Sequence, residues 1–405
     1  MNRSTATVHE NDWDPTMRGL LEHMLNCEAS DLYVTAFAPA VFRIDGVGYP
    51  AKTPLEPDHT ETMALSLMTP AQRDEFEKKL ELNLALSTEG GGRFRANVFR
   101  QRGCVGMVVR LIRTQIKTLA ELNHPPALSQ LMRQKRGLIL VVGGTGSGKS
   151  TTLAAMIDHR NRSESGHIIT VEDPLEYIHQ HRQCVVTQRE VGIDTLSYRD
   201  ALKNALRQAP DLILIGEIRD AETMESAITF AETGHLCMST LHANNANQAI
   251  ERILNFFTPE RAHEIRLQLS LNLRAIVSQR LLPTITGGRA AALEIMLDTP
   301  RIRDLIKKGE IETLKDAMEQ GAGEGCKTFD SALFDLVTAG KISDAEALRA
   351  ADSPNNLRIR LDRFRSNGGE DPEGPVLRLA PAPVKPKPLA PVASKPPSVP
   401  PPARN

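Results

Sequence analysis

The sequence predicts an α/β chain built around a mostly parallel sheet, preceded by a small α+β domain and followed by helices and a proline-rich tail. Three observations carry this expectation. Apolar runs of strand length (LILVVGG, HIITVED, LILIGE and LCMSTLHA) recur from Gly137 onward with helix-sized gaps between them, the pattern of parallel strands covered on both faces. The first run passes directly into Gly143-Gly-Thr-Gly-Ser-Gly148-Lys149-Ser150, which fits the G-x-x-x-x-G-K-[ST] loop between a strand and a helix. Finally, 12 of the 26 prolines fall in residues 371–405, where hydrophobic periodicity has ended.

Taken in order, Met17, Leu20, Leu21, Met24 and Leu25 share one helical face and open the fold with an amphipathic helix. Short strand-like runs follow at Asp31-Leu-Tyr-Val and Val41-Phe-Arg-Ile, the second ending in the turn dipeptide Asp45-Gly46. Phe94, Ala96 and Val98 alternate with Arg93, Arg95 and Asn97, and Val105 to Ile112 forms a further run after a turn at Arg102-Gly103. The stretch Asn123-His-Pro-Pro-Ala separates this region from the parallel sheet. Ile265 to Leu273 alternates at period 2, yet Ile265, Leu269, Leu273 and Ile276 also share a helical face without Gly or Pro; a helix of about 20 residues is predicted there. After Pro300 the pattern is helical, with Phe329, Leu333, Phe334, Leu336 and Val337 in one stretch and Ser343 to Glu346 spaced as a capping box.

Bulk numbers exclude several classes. At about 150 residues per domain, the 405 residues give roughly 2.7 domains. Lys plus Arg is 49 against 50 for Asp plus Glu, a net charge of -1 that offers no general grip on nucleic acid. With 4 Tyr and 1 Trp, stacking on bases is also poorly served. No apolar run approaches the roughly 20 residues of a membrane span, and the polar start MNRSTATVHENDWD has no signal-type apolar core, so a cytoplasmic protein is expected. The five cysteines are scattered without a C-x-x-C pair and read as buried reduced thiols. The tail, residues 371–405, holds five basic residues against Asp371 and Glu373 and is expected to be disordered or polyproline II-like, an inert extension or, as the alternative, a tether to a partner or membrane surface.

The loop Gly143, Gly144, Thr145, Gly146, Ser147, Gly148, Lys149, Ser150 and Thr151 is an anion site by construction. Its glycines let backbone N–H groups turn toward phosphate, the following helix adds partial positive charge, Lys149 reaches the β/γ oxygens and Ser150 ligates Mg²⁺. Asp211-Leu-Ile-Leu-Ile-Gly-Glu217 is a buried strand that delivers Glu217 to the ligand-binding edge of an open sheet, where it can hold the Mg²⁺ shell. Val171-Glu172-Asp173-Pro174-Leu175-Glu176 ends another strand, and one of its carboxylates is a candidate to orient and deprotonate the attacking water. Acidic strand ends are often only helix caps; the P-loop is what makes these functional. His235 and His242 flank a third strand, and His242, at its C-terminal end, is the stronger candidate for bonding phosphate or a catalytic carboxylate.

GGTGSGKS, VEDPLE, DLILIGEIRD and TGHLCMSTLHAN occur in the order found in secretion-superfamily ATPases, and the chain resembles the type IV pilus retraction motors of the PilT/PilU family. The phrases LRQAPD, GEIRDAETM, STLHANNANQA and ADSPNNLR resemble the PilU branch more closely. The resemblance implies a PAS-like N-terminal domain over residues 1–115, a linker over 116–136, a RecA-like ATPase domain over 137–298, a helical subdomain over 299–365 and a disordered tail over 366–405. It implies a homo-hexamer using ATP and Mg²⁺ at subunit interfaces, peripheral to the cytoplasmic face of the inner membrane. The implied partners are the pilus inner-membrane platform protein and, if the chain is the auxiliary rather than the main motor, a second retraction ATPase; nucleic acid is not among them. By resemblance, Lys149 and Ser150 are the Walker A pair, Glu217 the Walker B glutamate, Glu176 the general base with Glu172 as the alternative, and His235 and His242 the histidine box. Arg95 and Arg110 take the places of arginines that act on a neighbour's nucleotide. Assembly and type II secretion ATPases usually carry a cysteine-rich zinc element after the histidine box and longer N-terminal regions; lacking both favours retraction. Thr299 to Ile306 is similar to the family's AIR-type helix, with Pro300-Arg301 replacing the usual small residue.

Overall fold

The computed structural model describes residues 8–44, 46–112 and 114–368. Asp45 of the predicted turn and the proline-rich tail from residue 369 lie outside the described residues. Of the described residues, those up to Leu361 form one compact body and residues 362–368 belong to a second unit.

The N-terminal part runs α1 (Pro15–Asn26), β1 (Asp31–Val34), β2 (Pro39–Ile44), β3 (Val47–Pro54), α2 (Pro57–Ser66), α3 (Pro70–Lys79), β4 (Glu81–Ser87), β5 (Arg93–Gln101) and β6 (Cys104–Ile112). Asp14 starts α1 by accepting hydrogen bonds from the Thr16 and Met17 N–H groups at 2.9 and 3.0 Å, with Pro15 preset at the first helical position. The antiparallel sheet has the order β3-β2-β1-β6-β5-β4. Its inner face (Phe94, Ala96 and Val98 of β5, Met107 and Val109 of β6) buries Met17, Leu21 and Met24 of α1, Met63 of α2 and Phe76 of α3. The period-2 alternation predicted for β5 therefore separates core from the face bearing Arg95.

After α4 (Pro126–Leu131) come β7 (Gly137–Val142), α5 (Lys149–Ser163), β8 (Gly166–Glu172), β9 (Cys184–Glu190), α6 (Tyr198–Ala205), β10 (Leu212–Ile215), α7 (Ala221–Glu232), β11 (Leu236–Leu241), α8 (Ala246–Leu254), α9 (Pro259–Asn272), β12 (Leu273–Pro283) and β13 (Arg289–Leu297). The sheet order is β13-β12-β7-β11-β10-β8-β9, parallel throughout except for the β12/β13 pair. Leu138, Leu140 and Val142 face one core with Ile250, Ile265 and Leu269, whereas Ile139 and Val141 face the other with Leu128, Leu153, Met156 and Ile157. Burial on both faces explains why β7 reads as an unbroken apolar run. The remaining helices are α10 (Pro300–Lys308), α11 (Leu314–Gln320), α12 (Phe329–Thr338), α13 (Asp344–Ala350) and α14 (Pro354–Ser366). Thr299 caps α10 and Pro300 occupies its first position, so the departure Pro300-Arg301 is compatible with a helix start.

One expectation is corrected. The helix predicted through Ile276 stops at Asn272; Leu273 turns extended (φ -67°, ψ 124°) and begins β12, which places Ile276 in a strand. The segment read as a linker carries α4, whose Leu128 and Leu131 are buried against the sheet.

A buried carboxylate joins β13 to α8. Glu294, 3% exposed, accepts hydrogen bonds from the Ala246 N–H and the Ser278 hydroxyl, both at 2.8 Å. Burial pushes its carboxyl up to about 7. The folded chain thus retains a proton that the unfolded chain releases above about pH 4.5. This stabilisation is complete below that pH and is lost as pH rises through about 7, by up to about 1.4 kcal/mol per pH unit. Glu294→Gln is expected to show a smaller fall in Tm between pH 5 and pH 8 than the parent, measured by differential scanning calorimetry.

Candidate active site

The P-loop is shaped by what lies beneath it. Gly143 and Gly148 have φ of +157° and +87°, and an added Cβ would stand 2.4 Å from Ser147 Oγ at Gly143 and 2.8 Å from Gln279 Nε2 at Gly148. Only glycine allows this approach to β12. The loop opens onto the N-terminus of α5, whose first N–H groups have no helical partners. Lys149 Nζ donates to the Gly143 and Gly144 carbonyls, each at 3.0 Å. Partial burial pushes its ammonium pKa down, while Glu217 and Glu176 pull it upward. Ser147 Oγ is buried and unpaired among the described residues. A half-buried cation held, among the described residues, by two carbonyls, an orphaned hydroxyl and open helix N–H groups fit a polyphosphate.

Parallel pairing brings the carboxyl ends of β8, β10, β11 and β7 to one edge, where ligands bind in open α/β sheets. There Glu217, just after β10, receives His242 Nε2 at 3.0 Å on one oxygen and Arg219 Nε at 2.6 Å on the other. The bond to Glu217 raises the Arg219 pKa further, and Arg219 Nη1 lies 3.6 Å from Asp173. Glu172, at the end of β8, accepts from the Thr170 hydroxyl at 2.7 Å, and burial pushes its carboxyl up to about 7. Glu176 is exposed on the segment that follows. Lys149, Ser150, Glu172, Glu176, Glu217 and His242 line one cleft of about 480 Å³.

Three residues are not brought into this cleft. His235 precedes β11 at its opposite end, where its ring nitrogen lies 3.1 Å from Thr233 Oγ1. Six residues of strand, roughly 20 Å, separate it from the His242 edge. Arg95 and Arg110 are direct cross-strand neighbours on β5 and β6. Arg95 Nη1 lies 3.4 Å from Glu190 Oε1, and Arg110 Nε donates to Asp31 Oδ1 at 2.8 Å. Within one chain, then, Arg95 and Arg110 are engaged with Glu190 and Asp31, and Arg110 also feels the charge of Glu176.

The structure adds residues that were not anticipated. Arg219 had a readable signal, standing two positions after Glu217 in GEIRD. Gln279 has none, because the helical period through Ile276 hides β12, and the strand pairing that brings Gln279 under the loop is long-range. Its side-chain oxygen accepts from Thr152 at 2.7 Å, and His124 Nε2 lies 2.9 Å from the same hydroxyl. Burial lowers His124 to about 4, so the neutral ring buttresses α5.

A family model described as Type II/IV secretion system protein matches residues 10–328. The chain belongs to that family. Among members, the Type IV pilus ATPase PilU of Pseudomonas aeruginosa is 53% identical over 84% of this chain and 90% of its own length. The Type IV pilus retractation ATPase PilT of Pseudomonas aeruginosa is 42% identical over 81% of this chain and 96% of its own. The solved pilus retraction motor PilT with bound ADP is 41% identical and superimposes with a TM-score of 0.79 over 84% of this chain and 98% of that one. The fold is therefore that of the pilus-motor ATPases, with the predicted mostly parallel sheet, and this Type II/IV secretion family member is an ATPase.

Proposed function

We propose that this chain is a subunit of a hexameric ATP-driven motor that retracts type IV pili and powers twitching motility, working at the cytoplasmic face of the inner membrane. The observation that carries the reading is the convergence of Lys149, Glu176, Glu217 and His242 in one cleft of a chain similar over more than four-fifths of its length to PilU and PilT. Thr145 to Thr151 wrap the phosphates, Lys149 exchanges its carbonyl partners for β/γ oxygens, and Glu176 takes a proton from the attacking water. Ser150 and Glu217 would hold Mg²⁺, which supplies charge neutralisation at the β/γ bridge when bound. His242 and Arg219 fix the two oxygens of Glu217 so that the carboxylate cannot rotate out of the cleft. The reading gives His235 no step at the nucleotide of its own chain.

No helix among the described residues is long and apolar enough to cross a membrane, which suits peripheral attachment to a platform protein. The branch of the family nearer PilU supports an auxiliary role beside a second retraction ATPase. The test is a deletion strain scored for surface pili and twitching, paired with phosphate release by the purified ring. Excess surface pili without movement is expected of a main motor, and a defect seen only under load of an auxiliary one. A confirmed hexamer that binds ATP without releasing phosphate would instead favour an accessory ATP-binding subunit.

A further inference from the structure

Between β8 and β9 the chain runs through an irregular segment that carries Glu176, so the position of that carboxylate depends on how the segment is anchored. One anchor is Gln188 of β9, whose side-chain nitrogen donates to the Tyr177 carbonyl at 2.9 Å and whose side-chain oxygen accepts from the His179 N–H at 2.7 Å. A second is Glu190 of β9, whose Oε2 accepts from the Leu175 N–H at 3.4 Å, and a third comes from the opposite wall. The Tyr177 ring is buried, 8% exposed, and its hydroxyl lies 2.8 Å from the hydroxyl of Thr151, the residue after the Walker serine. Farther along α5, Asn161 holds the Gln180 carbonyl at 2.6 Å, but that contact lies near the other end of the helix. At the phosphate end, among the described residues, the side-chain hydrogen bond between helix and acidic segment is this pair of hydroxyls.

We infer that Tyr177 is a positioning residue, whose hydroxyl fixes Glu176 relative to the P-loop by clasping Thr151. The inference rests on the proposed role of Glu176 as base. Glu176 is adjacent to Tyr177 in the chain and lines the same cleft. A displacement of its carboxylate by a fraction of an ångström changes the geometry of proton removal without altering the P-loop groups that bind phosphate. Since Thr151 belongs to α5, any shift of that helix on nucleotide exchange is passed to the acidic segment through the same bond.

Tyr177→Phe removes one oxygen and keeps the ring that fills the core. It is expected to lower kcat roughly five- to tenfold while KM for ATP stays within about twofold and the melting temperature and ring assembly are unchanged. Thr151→Val, which keeps the Thr151 N–H that the loop offers to phosphate and removes only the hydroxyl, is expected to lower kcat similarly, and the double variant to fall no lower than the worse single one, because both delete the same bond. Wild-type kcat in Tyr177→Phe, or a loss that appears equally in KM and melting temperature, overturns the inference. Glu176→Gln measured alongside separates the layers. Full turnover there removes the base assignment itself, whereas an inactive Glu176→Gln beside a normal Tyr177→Phe rejects the positioning role alone.

Discussion

Glu176→Gln is expected to lower the steady-state rate of ATP hydrolysis by roughly 10²- to 10⁴-fold while leaving nucleotide affinity close to that of the parent. The carboxylate is exposed in the cleft, next to the P-loop edge of the sheet, and its pull on Lys149 ranks behind burial and Glu217. Glu172, the other candidate, is in a different condition. It accepts the Thr170 hydroxyl at 2.7 Å, and burial pushes it up to about 7, so near neutral pH it is divided between acid and carboxylate. A base works only when deprotonated. If Glu172 performed the step, kcat would rise with pH through a midpoint near 7, and Glu172→Gln would abolish both the rate and that limb. With Glu176 as base, Glu172→Gln retains most turnover, because glutamine reproduces the neutral side chain that accepts from Thr170. A pH–kcat profile of the two variants, with equilibrium binding of a fluorescent nucleotide as control, decides between them.

How much of this was legible in the sequence depends on how local the cause is. β7, β10 and β11 announce themselves because both faces are buried and each run ends in glycine, carboxylate or histidine. The P-loop is legible because its conformation needs glycine at fixed positions, above all at Gly143 and Gly148. The passage from α9 to β12 was not legible. Ile265, Leu269, Leu273 and Ile276 satisfy both the helical and the strand periods, and the break falls at Leu273 without Gly or Pro to mark it. Tertiary pairing with β7 and β13 decides the matter, and no short window of sequence contains it. β3 escaped for another reason: it is an edge strand, largely exposed, with Pro50 and Pro54 in it, so it shows neither alternation nor a hydrophobic run. The partners of the site residues were the least visible. Arg95 meets Glu190 across 95 positions of chain, and Gln279 backs the P-loop from 131 positions beyond Gly148; such pairings exist only once both sheets are built.

The remaining large effect concerns Arg95 and Arg110, and the cis contacts of the two arginines make it a sharper test. Arg95→Ala and Arg110→Ala are each expected to lower turnover by roughly 10³-fold or more while ATP binding persists, as for an arginine that neutralises charge only in the transition state. In the isolated chain Arg95 is held by Glu190 and Arg110 by Asp31. Acting on a neighbour's nucleotide therefore means exchanging a carboxylate partner for a phosphate. Subunit mixing reads this directly. Arg95→Ala subunits keep the P-loop, and Lys149→Ala subunits keep the arginine; neither ring alone should turn over. In equal mixture about a quarter of head-to-tail interfaces pair an intact P-loop with an intact arginine, so activity is expected to return in proportion. A mixture that stays inactive places the arginine in cis. One structural effect must be separated first. Burial raises the Glu190 carboxyl and Arg95 draws it back down, so Arg95→Ala leaves a buried carboxylate without its counter-charge and should lower Tm. Adding Glu190→Gln to Arg95→Ala removes that charge and is expected to restore stability but not turnover, because the missing guanidinium is needed at the neighbouring nucleotide rather than at Glu190.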